Sequence, residues 1–586
     1  MSFIPAYTKA VITSYFGHDV GIIAEALTAG PKPIPLLYRK VADNLKNKAQ
    51  FRKQLTVLYW HHIVDVETRN GNDWYSITLE NVIRFAMLPS MLTVLEQIAG
   101  PDAAYMAKIT IKEGRLSASD IVRMARAGAP KTSDTDFLKL FHSMTDDKVF
   151  MRTKRQVGET DDDPFQPPLQ MLDGTSRIDK LLNVDAQMAE LEETLLTQAQ
   201  QFGQNVGANK LDLLRRQRRK ELYDEADKVV ATDSDAEILW RVNFNVLDRI
   251  YRDRLLLETL INDAGIDAVG EKIMRAVFGL CLKMQEGNAS NVTMKYFSRK
   301  DVENLLKHHP EINTDDYDAT FYLISSFADK FVSKVGDSSG GLYSIDYVEG
   351  LRKLLTKTLI SMIEARYERP EEPEERRGLP SFVFSCLLNN GLVEEEKLAT
   401  TFKHPETEIR EELFRMREDG FVNVITKDAS YEFNPMSSQF LYGVDLLKVN
   451  MAQFQRILQY QANYINRRLF EKEQVSSIKI AKVKARRMTD YAKQTITDPE
   501  DLDDYIEDVS SEFDVTKRLK LRRYRTFRDY LKKVEMMLNQ TIWIMHRNRE
   551  MEQRKRRDEG LNLAKRARKR AADAADGESE AKRMRY

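Results

Sequence analysis

The sequence has only two cysteines and eight histidines, and neither sign of charge is in surplus. Each shortage excludes something. Cys281 and Cys386 sit in apolar stretches that read as helix. A disulfide is not expected there, and a structural zinc site needs about four closely spaced nitrogen or sulfur ligands. Small buried hydrophobes fit both positions. The His61–His62 and His308–His309 pairs have no acidic or cysteine partner at ligand spacing. Phosphate-cradling G-x-x-x-x-G-K-[ST] and metal-binding His-Glu-x-x-His patterns are both missing. No metal, no cofactor and no catalytic residue are therefore expected. No apolar run approaches the roughly 20 residues of a membrane span. The N-terminus lacks a basic stretch followed by an apolar one, the mark of a secretory leader. The expected place is the cytosol or nucleus, without a membrane.

Lysine plus arginine and aspartate plus glutamate both number 90, so the formal net charge is zero. Proteins that bind DNA on their own carry a basic surplus or stripe. Neutrality suits a subunit that adds a few phosphate contacts to an assembly held on DNA by other chains. Composition is that of an ordinary globular protein, 42% hydrophobic and 31% charged. At 586 residues the length allows about four domains.

Four times one pattern recurs: helices, a polar break, a further helix, then a two-stranded hairpin. In the first, Tyr7 to Phe16 and Asp19 to Ala29 read as helices, and Pro31, Pro33 and Pro35 break the chain. Leu36 to Val41 restart it. Phe51, Leu55, Leu58 and Tyr59 then make one apolar stripe over Gln50 to Trp60. Strands at Ile63–Glu67 and Trp74–Leu79 flank Asn70-Gly71, which supplies the positive φ of a tight hairpin. The second has a short helix with Ile121 and Met124, a capped helix with Phe137, Leu138, Phe141 and Met144, and a strand at Val149–Met151. The third has Ser298 capping a helix with Val302, Leu305 and Leu306, then Tyr317, Phe321, Ile324 and Phe327 on one face. Phe331–Val335 and Leu342–Tyr347 enclose a tip of Gly336-Asp337-Ser338-Ser339-Gly340-Gly341. The fourth has helices at Pro380–Leu388 and Glu394–Phe402, then a stripe of Ile409, Leu413 and Met416. Gly420 ends that helix, and Phe421–Ile425 are expected to pair with Tyr431–Phe433.

The glycine-rich tip has a superficial likeness to the Gly-Asp-Ser-Gly-Gly of trypsin-like proteases. Such an enzyme needs a base histidine and an orienting aspartate on a mostly β scaffold. A hairpin tip accounts for the glycines and small polar residues directly.

Other regions differ. Residues from Gln156 to Asp235 open acidic, with Glu159, Asp161, Asp162 and Asp163, and are expected to be partly disordered. Leu211 to Asp227 reads as a charged helix with Arg215, Arg216, Arg218, Arg219 and Lys220, a solvated face or a contact for nucleic acid or a partner. Arg369 to Arg377 forms a charged, proline-containing linker. From Gly443, Val444, Leu447, Met451, Phe454, Leu458 and Ile465 follow a coiled-coil seam, and Tyr524, Phe527, Leu531, Val534 and Leu538 do so again. Asp498-Pro499-Glu500-Asp501 separates the two runs, so a long antiparallel hairpin is expected, with Trp543 and Met545 near its end. The end of the chain is basic, with Lys565, Arg566, Arg568, Lys569, Arg570, Lys582, Arg583 and Arg585.

This is the winged-helix pattern, which offers a helix and a wing to a DNA groove or to another protein. The expected fold is mainly α with small β-hairpin wings: four tandem winged-helix domains plus a C-terminal antiparallel helical coiled coil. The expected boundaries are residues 1–83, 84–158, 239–365 and 366–440 for the winged helices. A partly disordered linker covers 159–238, the coiled-coil hairpin 441–548, and a basic disordered tail 549–586.

Four such units, a linker after the second, a glycine-rich third wing and a C-terminal helical hairpin together resemble one family. It is the winged-helix and coiled-coil subunit of the peripheral heterotrimer of eukaryotic RNA polymerase III. The resemblance spans nearly the whole chain. It is most specific at Trp240-Arg241-Val242-Asn243-Phe244, at Glu271 to Met284 and at Val332 to Tyr347. The resemblance implies a non-catalytic subunit in the nucleus, partnered by two smaller subunits. It also implies a seat on the clamp of the largest polymerase subunit, contact with an initiation factor of the TFIIIB type, and promoter DNA near the cleft, where the chain aids DNA opening. The other class kept in view is a winged-helix protein scaffold that never touches nucleic acid, which neutral charge permits.

No base-reading set is visible. The residues picked out for phosphate contact are Lys46, Lys48, Arg52 and Lys53 on the first repeat's last helix, Arg152, Lys154 and Arg155 after the second, and Lys334 on the third wing. Such contacts give affinity without sequence choice. For each of them a solvated surface charge is the plain alternative.

Overall fold

The computed structural model describes residues 2–45, 47–69, 71–128, 134–153, 239–283, 294–307, 312–326, 331–337, 340–367, 378–426, 440–495, 502–506, 509 and 515–583. It is mostly helical, with small antiparallel sheets.

The first repeat follows α1 (Ile4–Phe16). It comprises α2 (His18–Leu27), β1 (Lys32–Pro33), α3 (Ile34–Val41), α4 (Lys48–Trp60), β2 (Val64–Arg69) and β3 (Asn72–Ile77). The stripe on α4 behaves as its spacing predicts: Phe51, Leu55 and Leu58 are buried. Asn47 caps the helix by accepting from the Ala49 N–H at 2.9 Å. The proline-rich break hides a strand of two residues, β1, which pairs with β3. Proline is tolerated there because β1 lies at a sheet edge. Gly71 has φ +76°, which suits the hairpin tip, while Asn70 lies outside the described residues.

Next come α5 (Leu79–Ala99), α6 (Pro101–Glu113), α7 (Ala118–Gly128), α8 (Asp134–Asp146), β4 (Phe150–Arg152) and β5 (Trp240–Val242). Contrary to the expectation from sequence, α5 has the length and apolar composition of a membrane span. It carries Pro89 and an ion pair between Glu80 and Arg84 at 2.5 Å, and 56% of its apolar window is buried within the protein. A core helix meets the same description. The partner of β4 also differs from expectation. Trp240–Val242, placed by sequence at the start of the third unit, pairs antiparallel with β4, and Leu116 bridges to Trp240. Thr153 donates to the Leu239 carbonyl at 2.9 Å from its N–H and its hydroxyl. The chain therefore leaves and re-enters the second repeat at one point of one hairpin, and the expected linker is a connection inside that hairpin.

The third stretch contains α9 (Phe244–Ala264), α10 (Ala268–Lys283), β6 (Met294–Ser298), α11 (Arg299–Leu306), α12 (Thr314–Ser326), β7 (Val332–Gly336), β8 (Leu342–Asp346) and α13 (Tyr347–Tyr367). Ser298 caps α11, accepting from the Asp301 N–H at 3.3 Å. Phe297 and Phe321 stack on Tyr343 with ring centroids 5.7 and 4.7 Å away. Phe327, expected on the same face as Phe321, lies outside the described residues.

The fourth has α14 (Leu379–Asn390), β9 (Val393–Glu394), α15 (Glu395–Phe402), α16 (Glu406–Glu418), β10 (Asn423–Thr426) and β11 (Phe440–Gly443). Ile409, Leu413 and Met416 are buried. The partner of β10 is not Tyr431–Phe433, which lie outside the described residues, but β11, with Thr426 opposite Phe440 and Asn423 opposite Gly443.

One topology underlies all four: helix, edge strand, helix, helix, strand, and a last strand placed between the other two. The sheets run β1-β3-β2, β6-β8-β7 and β10-β11-β9, and the second repeat has β4-β5 with the Leu116 bridge as its edge.

The remaining helices are α17 (Leu446–Gln474), α18 (Ser476–Thr495) and α19 (Val515–Arg583). The last runs on through residues expected to form a disordered basic tail.

The chain divides into two compact bodies, Met1–Ser90 with Met451–Trp543, and Met91–Asn450 with Ile544–Tyr586. In the first, α17 and α19 run antiparallel: Gln461 donates to the Asn539 side chain at 2.8 Å, Arg468 pairs with Glu535 at 2.5 Å, and Val475 packs with Leu521 and Tyr524. Two predicted seam residues turn outward instead, Met451 at 53% and Phe527 at 37% exposure. The buried amides of Gln461 and Asn539 lie in the contact, and Asn539 also donates to the Ala86 carbonyl at 3.0 Å. In the second body, Asn450 donates to the Met545 carbonyl at 3.1 Å. Arg547 forms a buried ion pair with Asp248 of α9 and a second pair with Glu550 at 2.7 Å. Also buried on α9, Arg252 pairs with Asp253 at 2.8 Å and lies 3.6 Å from the Tyr347 ring centre. Burial raises the Asp253 carboxyl above its ordinary value, against the pull of Arg252. Burial likewise pushes the Cys281 thiol up to about 12, which keeps it an unreactive thiol.

Candidate nucleic-acid interface

Helix α4 is fixed from behind. Its apolar stripe enters the core, and Gln50 and Gln54 both donate to the Asp19 carboxylate of α2 at 2.9 Å. Exposed on α4, besides Ala49 and Gln50, are Lys48, Arg52, Lys53, Thr56 and Trp60. Lys48, Arg52, Thr56 and Trp60 step by four, so they climb one helical face, with Lys53 beside them. The Lys48 ammonium lies 5.6 Å from the Tyr38 ring centre, and Trp60 is 37% exposed. α4 contains no acidic residue. A cationic face ending in an aromatic ring can hold phosphates by charge and stack on a base or sugar. Tyr38 and Trp60 were not among the residues picked from sequence; the four-residue step from Lys48 to Trp60 is the signal that finds Trp60.

The other candidates fare differently. Lys46, Lys154 and Arg155 lie outside the described residues. Arg152 sits in β4 opposite Trp240, its guanidinium 5.4 Å from the Trp240 ring centre, half-buried and engaged. Lys334 pairs with Asp337 at 2.5 Å across an irregularity of the third wing. The hydrogen bond that Lys334 donates to Asp337 raises the Lys334 ammonium above its ordinary value, and Lys334 holds the Asp337 carboxyl below its own. Both charges are thus spent locally. Lys48, Arg52 and Lys53 belong to one compact body and Arg152 and Lys334 to the other.

The equivalent helices of the other repeats carry the opposite sign. α8 has Asp136 and Asp146 against Lys139. α12 has Asp315, Asp316 and Asp318 and no cation of its own, although Arg299 of α11 pairs with Asp318. α16 has five glutamates against Arg410, Arg415 and Arg417. Phosphate would be repelled from these helices, whereas α4 attracts it. Among the described residues, no group of three or more His, Cys, Asp or Glu is placed to hold a metal ion.

These features define a class: a mainly helical protein of repeated helix–sheet units joined to long antiparallel helices, with a single cationic third helix. No family model matches the chain. It is similar to the DNA-directed RNA polymerase III subunit RPC3 of Rattus norvegicus, 22% identical over 79% of this chain and 83% of that protein. The Homo sapiens protein of the same description is 20% identical over the same shares, and that of Danio rerio 24% over 44% of this chain and 47% of its own length. This similarity to RPC3 proteins extends over 79% of the chain, as the resemblance drawn from sequence leads one to expect.

Proposed function

We propose that this chain is a non-catalytic peripheral subunit of RNA polymerase III, acting in the nucleus in transcription of small non-coding RNA genes such as those for tRNA and 5S rRNA. The similarity to RPC3 proteins along most of the chain carries the reading. In this proposal the four repeats are winged helices, and the long helices form a coiled coil that braces them on the clamp of the largest subunit. Two smaller subunits complete a heterotrimer. The first winged helix lies beside promoter DNA, where Lys48, Arg52 and Lys53 hold phosphates while the duplex opens. Lys46, Lys154 and Arg155 remain candidates for the same role. The acidic third helices face proteins, among them an initiation factor of the TFIIIB type.

A second reading draws on those same acidic helices. With three of four third helices negative, the chain could serve wholly as a protein scaffold in another complex. One purification separates the two: the tagged chain is isolated from nuclear extract and its partners are weighed by mass spectrometry. Polymerase III subunits in near-equal amounts support the proposal. A different assembly, or none, overturns it and leaves the scaffold.

A further inference from the structure

Helix α18 turns an apolar face to solvent. Ile480, Val483 and Tyr491 are 69, 52 and 66% exposed. With Arg487 between them they climb the helix at intervals of three and four, one continuous stripe. Met488 and Tyr505, the latter from a short helical segment at 502–506, join the stripe around an open groove of about 500 Å³. Lys479, Lys484 and Arg487 line the same groove. Along α18 six cations, Lys479, Lys482, Lys484, Arg486, Arg487 and Lys493, stand against one acid, Asp490.

This combination selects its occupant. Nucleic acid would use the cations but gain little from Ile480 and Val483. A neutral apolar helix would use the stripe and leave the cations desolvated at the rim. An acidic amphipathic helix satisfies both, burying its anchors at helical spacing and setting carboxylates against the rim. The chain carries a small instance of that chemistry, because Tyr505 enters the groove from a segment in which Asp503 and Asp504 precede it.

We infer that the α18 groove is a docking site for an acidic amphipathic helix of a partner protein. The inference needs the chain to work in an assembly, not that the assembly be RNA polymerase III. The subunit inventory of the purified complex tests the second point, and crosslinking within that complex tests the first.

The probe is p-benzoyl-phenylalanine placed at position 480 of the full-length chain, an exposed site that leaves the core untouched. The tagged complex is isolated, irradiated and mapped by mass spectrometry. The expected crosslinks fall on one segment of another subunit, net negative, with apolar residues at i, i+3 or i+4, and i+7. The double variant Lys484→Glu/Arg487→Glu, with both residues on the helix surface, should lower the yield more than tenfold while the complex stays assembled. Crosslinks confined to residues 496–514 of the same chain, to nucleic acid, or to a neutral or basic segment overturn the inference. So does the absence of crosslinks, or a yield that the charge reversal leaves unchanged.

Discussion

Helices α4 and α12 occupy the same place in the same topology, yet they present opposite faces. Each is anchored by a buried phenylalanine, Phe51 at 1% and Phe321 at 2% exposure. Each packs on the first helix of its repeat, α4 on α2 and α12 on α10. Outward, α4 shows Lys48, Arg52, Lys53 and Trp60, while α12 shows Asp315, Asp318, Tyr322 and Leu323. The fold thus fixes where a third helix sits, and the residues pointing away from the core decide what it meets. Architecture alone says nothing of which repeat faces nucleic acid. Even the single cation placed on the third wing, Lys334, is matched by an acid.

If the two helices are held alike, their anchors should cost alike. Phe51→Ala and Phe321→Ala should each remove about 3–5 kcal/mol, the usual cost of emptying a buried aromatic site. Hydrogen exchange along α4 and α12 reports each loss locally. A cost several times smaller at one of them would show that the shared topology hides two different kinds of support.

The outward faces should separate the two helices in the opposite way. Lys48→Glu/Arg52→Glu/Lys53→Glu should weaken binding to duplex DNA at least tenfold at low salt. It should also lower the slope of log affinity against log salt by up to about 3, since each phosphate contact contributes about 0.9. Promoter-dependent initiation should fall with it while assembly survives. Conversely, Asp315→Lys/Ala319→Lys should give α12 a measurable DNA affinity, smaller because it adds only two cations and Asp316 remains beside them. Salt-titrated binding of purified complexes checks both. An unchanged slope in the α4 variant would remove it from the DNA path.

The framework behind α12 also answers to pH. Asp263, at the end of α9, pairs with Lys353 at 2.9 Å and hydrogen-bonds Lys357, both on α13. Partial burial opposes the charged form, but hydrogen bonds from Lys357 and Lys353 outweigh it and hold the carboxyl below its ordinary value. A carboxyl with a depressed folded value stabilises above its unfolded value, near 3.9, and loses that contribution as pH falls through the folded one. Asp263→Asn should therefore lower stability at pH 7 by about 0.5–1 kcal/mol, the worth of a partly solvated pair, and have little effect near pH 2. Thermal melts at the two pH values check the sign; equal losses at both would refute the ionic account.

Much of this was legible in the sequence, for a physical reason. Stripes such as Phe51, Leu55, Leu58 and Ile409, Leu413, Met416 are local, spaced by the helical period, and land in the core. The pairing of β4 with β5 was not legible, because strand partners separated by a long stretch of chain leave no local mark. The edge strands β1 and β9 are two residues long and carry no alternation. The seam of α17 and α19 misled at Met451 and Phe527. A 3–4 spacing lets a neighbouring phase compete, and Gln461 and Asn539, polar and easily passed over, occupy the contact through a shared hydrogen bond. At the candidate interface the cationic helix was legible from charge alone. The neutralisation of Lys334 was not, since Lys334 and Asp337 in a wing meet only if the hairpin bends there, as the irregularity between Lys334 and Gly336 makes it do.

That last pair gives the smallest effect and a pointed contrast with α4. Lys334→Ala removes a lysine from wing strand β7, two residues before its end at Gly336, where a wing would touch a phosphate backbone. Its ammonium already holds Asp337, and both side chains stand in solvent. A phosphate contact would have to displace that carboxylate, gaining one charge pair while giving up another. Binding to duplex DNA should therefore change by less than about twofold, and the salt slope by less than the 0.9 of one contact. Asp337→Ala sharpens the point. It frees Lys334 and should raise affinity and slope together, by no more than a single contact. A loss on Lys334→Ala as large as that from one α4 cation would mean that Asp337 releases its partner when DNA arrives, and that the third repeat faces the duplex beside the first.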